Sequence, residues 1–89
     1  MGESKSTAWP KYRSHKVIEA APICEIVEHG GTLSLLVKPY GDDRVERFVP
    51  TEATMIARAN VGDFAIQYPD GYKSVSPAQA FMDGYTPEP

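Results

Sequence analysis

The stretch GDFAIQYPDGYKSVSPAQAFMDGY, residues 62–85, decides the fold that we expect for this chain. At its start, Phe64, Ile66 and Tyr68 alternate with other residues, which is the pattern of a strand with one shared face. The letters PDG at residues 69–71 then predict a tight turn, because proline fixes φ and glycine accepts a left-handed conformation. Residues 72–75 follow as the partner strand, so the pattern indicates a β-hairpin.

The same stretch ends in a predicted helix over residues 77–83. Ser76 is expected to cap the helix and Pro77 to occupy its first position, since proline has no N–H that would be left unpaired there. Phe81 lies on the apolar side and Gly84 ends the helix. We therefore expect Phe81 and Tyr85 to pack this helix onto the hairpin.

Upstream, three strands are predicted at residues 17–27, 32–37 and 44–49, joined by short turns into a meander. Two adjacent glycines, Gly30 and Gly31, permit the positive φ angles of the first turn. Pro22 cannot donate to a ladder, so the first strand either lies at a sheet edge or is broken by a bulge there. Thr51 is the expected N-cap of a short helix over residues 52–59.

These elements predict the α+β class: a small antiparallel sheet of about five strands, the three-strand meander and then the hairpin, with two short helices. The expected organisation is a flexible leader at residues 1–11, a single domain at 12–85 and a tail at 86–89. Trp9, within the leader, either docks on the domain or anchors a partner. The predicted core contains Ile18, Ile26, Leu33, Leu35, Val45, Val49, Ile56, Phe64, Ile66, Val75 and Phe81.

Composition narrows the functional classes. The 89 residues carry twelve acidic and nine basic side chains, a net charge of −3. Because phosphate neutralisation supplies most of the affinity for a duplex, we expect no double-stranded nucleic acid partner. No stretch is long and apolar enough to span a membrane, so we expect no membrane partner.

Catalytic and metal-binding patterns are missing from the sequence. His15 and His29 lie on different segments without a spaced third ligand. Cys24, between Ile23 and Ile26, is expected to be a small buried hydrophobe, and an apolar setting raises a thiol pKa rather than activating it. No phosphate-cradling glycine loop or nucleophile elbow occurs. We therefore expect no enzyme activity, no cofactor and no metal.

Both ends of the chain resemble a family of small uncharacterised phage and prophage proteins. The N-terminal match is Y-R-S-H-K-V at residues 12–17, and the C-terminal match is G-D-F followed by Y-x-D-G-Y-x-S-x-S-P, A-F and G-Y-T. Asp63 and the pair Met82-Asp83 depart from the family pattern. The resemblance implies a phage origin and the cytoplasm of a bacterial host, but no activity and no functional residue.

Two functions are compatible with these observations. The first is a protein-interaction module that binds a host or phage protein, or a second copy of itself, through Tyr68, Tyr72, Tyr85 and Arg13 or through the sheet edge near Pro22. Tyrosine suits an interface because it buries a large area and keeps a polar tip. The second is an oligomer that sequesters a small anionic ligand such as a nucleotide, in a pocket between subunits built from tyrosines and from Arg13, Lys16, Arg44, Arg47 or Arg58.

Overall fold

Seven β-strands, a 3₁₀ helix and an α-helix form the chain in its computed structural model, which describes residues 9–14 and 17–87. The α+β class is confirmed, with more strands than the five expected, because short segments at both ends also pair. The elements are β1 Lys11–Arg13, β2 Val17–His29, β3 Thr32–Val37, β4 Glu46–Phe48, the 3₁₀ helix Ala53–Arg58, β5 Phe64–Gln67, β6 Lys73–Ser76, α1 Ala78–Gly84 and β7 Thr86–Pro87.

The long strand β2 belongs to two antiparallel sheets. Its first half pairs with β1 and β5, giving the order β7-β1-β2-β5-β6, which we name the hairpin sheet. Its second half pairs with β3, which pairs with β4, and we name this part the meander sheet. The meander and the hairpin expected from the sequence are therefore joined through one strand.

Pro22 lies inside the hairpin sheet, which corrects the expectation that it marks a sheet edge. It pairs with Phe64 of β5, and its carbonyl accepts the Lys38 N–H at 3.1 Å. The N–H and C=O of one residue in an antiparallel strand point to the same edge. Pro22, which has no N–H, therefore lies at the position where β2 stops pairing with β1 and starts pairing with β3.

A β-bulge, the alternative expected at Pro22, follows immediately. The register of β2 shifts between Ile23 and Glu25, which leaves Cys24 as the additional residue. Because one extra residue reverses the alternation of a strand, Ile26 rather than Glu25 packs against the core beyond the bulge. Cys24 is exposed, so the prediction that it is buried is wrong.

The two faces of the hairpin sheet contribute to two hydrophobic cores. The first core lies between the two sheets and contains Trp9, Ala21, Ile23, Leu35, Val37, Phe48, Ala59 and Ala65. The second lies under α1 and contains Tyr12, Ile18, Ala20, Phe64, Ile66 and Phe81. Trp9 is only 5% exposed, so it docks on the domain.

The predicted core is confirmed at most of its positions and is wrong at Leu33 of β3 and at the two valines that flank β4. Ile18, Leu35, Phe64, Ile66 and Phe81 are buried, and Ile26, Ile56 and Val75 are half-buried against the cores. Leu33, Val45 and Val49 are exposed instead. Leu33 lies near the turn of the β2–β3 hairpin, and β4 turns Phe48 inward beside Trp9, so both valines point outward.

Both helices begin differently from the sequence expectation. The Thr51 hydroxyl does not cap the 3₁₀ helix but accepts the N–H of Lys73 at 2.7 Å. Ser76 belongs to β6, and α1 is capped from elsewhere, because Asp63 Oδ1 accepts the Ala78 N–H at 3.1 Å. The other oxygen of Asp63 accepts the N–H of Asn60 at 3.0 Å. One carboxylate thus ties the end of the 3₁₀ helix to the start of α1.

Candidate functional site

A column of stacked aromatic rings fastens α1 to the hairpin sheet. Phe81 stacks on Phe64 with ring centroids 4.1 Å apart and on Tyr85 at 5.1 Å. Tyr12 of β1 meets the edge of Phe81 at 4.8 Å. Aromatic pairs in these geometries add to the energy of burial. This column packs α1 against the hairpin within residues 62–85.

Tyr68 extends the column toward solvent. Its side chain is hydrogen-bonded with Tyr85, and its ring lies 5.9 Å from that of Tyr72. Burial and then the hydrogen bond with Tyr85 raise the pKa of Tyr68 above its ordinary value. The three tyrosines predicted as a site therefore form one half-buried cluster at the hairpin end of the molecule.

Tyr72 connects this cluster to the 3₁₀ helix. Its hydroxyl donates to Glu52 Oε2 at 3.1 Å, and this hydrogen bond is the main cause of its raised pKa. Its backbone N–H donates to Asp70 Oδ1 at 2.9 Å inside the predicted turn. Gly71 in that turn has φ of +96°, as expected from the sequence.

Four polar side chains form a row across the face of the hairpin sheet that also contributes Ala21 and Ala65 to the first core. Lys11 is opposite Glu19, Glu19 is opposite Gln67, and Gln67 is opposite Lys73. Glu19 accepts from Lys11 Nζ and from Gln67 Nε2, each at 3.3 Å, with a different oxygen. Lys73 takes part in none of the ion pairs of the residues that the structure describes. Two lysines thus flank one carboxylate, which leaves the row with an excess of positive charge.

This row is one wall of a groove of about 490 Å³. Val17, Pro69 and Gly71 provide an apolar floor next to the row, and Tyr68 contributes to the rim. On the other side of the row, Ala65 belongs to the first core and its partner Val75 packs against that core. The groove is therefore the part of this sheet face that the meander sheet leaves open. We name it the hairpin-end groove.

Arg13, the fourth residue of the predicted site, lies on β1 beside the groove. It is exposed, and its register partners are Val17 of β2 and Thr86 of β7. The Thr86 hydroxyl donates to its carbonyl at 3.5 Å. Arg13 thus lies at the same end of the hairpin sheet as the tyrosines, on the neighbouring strand.

Sequence reasoning did not find Lys11, Glu19, Gln67 and Lys73 as neighbours. Each stands at an outward position of a strand, but only the pairing of β1, β2, β5 and β6 brings them into one row. A signal does exist in the alternation of each strand, since odd-numbered positions of β1 and β5 face away from Phe81. The register that aligns them is not visible in any one segment.

The basic residues expected to build an anion pocket are dispersed. Arg44 is held by Asp42 at 2.7 Å and by Glu46 at 3.3 Å, while Arg47 lies on the outer side of β4 and Arg58 at the end of the 3₁₀ helix. His29 is exposed at the end of β2. His15 and Lys16 lie outside the described residues. The proposed pocket between subunits stays a prediction.

Over residues 9–14 and 17–87, no group of three or more His, Cys, Asp or Glu side chains could hold a metal ion. Within the same ranges, no helix is long and apolar enough to cross a membrane. No family model, curated protein or solved structure matches this chain.

Proposed function

We propose that this chain is a small phage accessory protein that works by binding, as a protein-interaction module rather than an enzyme. Its contact surface is the hairpin-end groove, and its partner is an acidic segment of another protein. The phage assignment rests on the resemblance of residues 12–17 and 62–86 to phage and prophage proteins. The observation that carries the binding proposal is the groove itself, with Lys11 and Lys73 at the two ends of a polar row that lies next to an apolar floor.

Charge favours an acidic partner. Lys11 shares its charge with Glu19, whereas Lys73 has no ionic partner among residues 9–14 and 17–87. The chain as a whole carries a net charge of −3, whereas the residues that line the groove include two lysines and one carboxylate. Complementary potentials of this kind speed association and exclude partners of the wrong sign.

Shape favours binding on the face of the sheet rather than addition of a strand at its edge. The outer edge of β6 is occupied beside the groove, since Thr51 donates its N–H to the Lys73 carbonyl at 2.9 Å and accepts the Lys73 N–H. Strand addition at β6 is therefore blocked at this point. Val17 and Pro69 instead offer an apolar contact in the groove.

An NMR titration tests the proposal with a defined probe, a short synthetic peptide of alternating aspartate and leucine. We expect saturable shift changes confined to the amides around Lys11, Val17, Gln67 and Lys73. Lys73→Glu should abolish them, because it reverses the charge of the unpaired lysine. Lys38→Glu is the matched control, since this exposed lysine lies outside the groove and should leave binding unchanged. Shifts that are absent, or equally affected by both variants, would contradict the proposal.

Sequestration of a small anionic ligand such as a nucleotide is the second candidate. The volume of the groove, about 490 Å³, lies within the range of about 300–1,000 Å³ typical of small-molecule sites. The same titration with a panel of nucleotides separates the two functions. Saturation by a nucleotide, with no response to the acidic peptide, would favour sequestration.

A further inference from the structure

The meander sheet has one face packed against the first core and another open to solvent. We name the open side the outer meander face. It carries a depression of about 480 Å³, lined by Val27, His29, Thr32, Ser34, Leu36 and Arg47. Val45 and Val49 flank it and are 53% and 54% exposed. Branched and aliphatic side chains thus lie exposed on a three-stranded surface.

One acidic and one basic side chain lie on either side of the middle strand, β3, of this face. Glu25 of β2 is opposite Leu36 of β3, and Leu36 is opposite Arg47 of β4. The row across the sheet therefore reads acid, leucine, base. Neither Glu25 nor Arg47 enters an ion pair with any residue that the structure describes. The bulge at Cys24 creates this arrangement, because it turns Glu25 outward.

The next row has the same symmetry in apolar residues. Val27 is opposite Ser34, and Val49 follows Arg47 by two positions on the far side of β3. This row therefore reads valine, serine, valine. Its two ends are alike, whereas the ends of the charged row are complementary.

We propose that the outer meander face binds the same face of a second copy of this chain. A two-fold axis running along β3, between two facing sheets, exchanges the left and right ends of every row. Glu25 then meets Arg47 of the second copy, Val27 meets Val49 of that copy, and Leu36 meets its own counterpart. Such self-complementarity is what an isologous dimer requires. Aligned packing of two sheets is a common arrangement for faces of this kind.

A partner of strong charge does not fit this face, because Glu25 and Arg47 cancel. The face is also small: three strands about 4.8 Å apart and six residues at about 3.4 Å each give about 300 Å² per copy. Stable interfaces bury about 800 Å² per partner. The dimer is therefore weak, and it forms with rising protein concentration.

Sedimentation equilibrium over about a hundred-fold range of concentration tests this proposal, with dissociation constants compared directly. Arg47→Glu should weaken dimerisation by about tenfold or more, because Glu25 then faces a second carboxylate. The charge-swapped double variant E25R/R47E should restore it, since each row again pairs acid with base. Both positions are exposed, so thermal unfolding should show that all variants fold.

Two results would overturn the proposal. One is a wild-type chain that stays monomeric throughout the concentration range. The other is a dimer that Arg47→Glu and E25R/R47E affect equally, which would indicate pairing through another surface such as the edge of β4. The groove variant Lys73→Glu should leave dimerisation unchanged, so this test stands apart from that of the proposed function.

Discussion

The hairpin sheet and the meander sheet share β2 but differ in how their faces are assigned. In the hairpin sheet, local signals decide the fold, because the turn at residues 69–71 and α1 follow one another within 24 residues of sequence. In the meander sheet, the inward face of β2 depends on the bulge at Cys24, and the inward face of β4 depends on its register with β3. The difference teaches that alternation within one strand does not reveal which of its faces is buried.

The largest expected effect concerns the ring that anchors α1. Phe81→Ala should lower the free energy of unfolding by about 3–5 kcal/mol, since it empties the space between Phe64 and Tyr85. Urea denaturation measures this loss. Met82→Ala is the control, because Met82 is 63% exposed and should change stability by less than about 0.5 kcal/mol. A loss below about 1 kcal/mol for Phe81→Ala would show that the helix is not docked there.

The equivalent test in the meander sheet compares two neighbours on β4 and its extension. Phe48→Ala should cost about 3 kcal/mol, because Phe48 is 3% exposed and packs on Trp9. Val49→Ala should change stability by less than about 0.5 kcal/mol when measured at dilutions where the chain is monomeric. Urea denaturation of both variants decides which face of β4 is inward. A larger loss of stability for Val49→Ala than for Phe48→Ala would instead support the sequence prediction that Val49 is buried.

A smaller effect is expected at the hairpin turn. Gly71→Val should destabilise by about 1–2 kcal/mol, because φ at this position is +96° and a β-branched residue resists a left-handed conformation. No atom lies within 4 Å of the site of a Cβ here, so backbone strain alone accounts for the cost. Gly84→Ala is the matched control, since Gly84 has neither a positive φ nor a close neighbour. Equal melting temperatures for the two variants would contradict this explanation.

The smallest effect should be seen in the turn between β3 and β4. Hydrogen bonds from Arg44 hold the pKa of the Asp42 carboxyl below its ordinary value of 3.8. A lowered pKa contributes stability above the ordinary value and loses it as the pH falls through the lowered one. Asp42→Asn should therefore melt slightly below wild type at neutral pH, and the gap should close in acid. If the difference in melting temperature between the variant and wild type stays constant across the pH range, the hydrogen bonds from Arg44 are not its cause.

The sequence predicted the hairpin sheet better than the meander sheet for a physical reason. The turn at Gly71 and the burial of Phe81 each depend on signals within a few residues. The misassigned face of Cys24 depends on one extra residue in β2, and those of Val45 and Val49 depend on the register that sets Phe48 opposite Leu35, which no composition or turn signal marks. Pro22 is the nearest hint, because it lies next to the bulge.

The candidate site was predicted in part for the same reason. Tyr68, Tyr72 and Tyr85 lie in one recognisable motif, and the structure brings them together at the hairpin end. Lys11 and Lys73 are far apart in the sequence and lie in one row only through the register of four strands. Capping by Asp63 was missed likewise, since its partner Ala78 is 15 residues away.

The reactivity of Cys24 tests most directly whether a bulge sets the faces of β2. A thiol reagent added to the folded chain should modify Cys24 about as fast as it modifies the unfolded chain, because the bulge exposes the side chain. The variant I23C/C24S should react only on unfolding, since Ile23 is 1% exposed. Protection of Cys24 in the folded wild-type chain, with ready modification of the residue-23 thiol in the variant, would contradict the account.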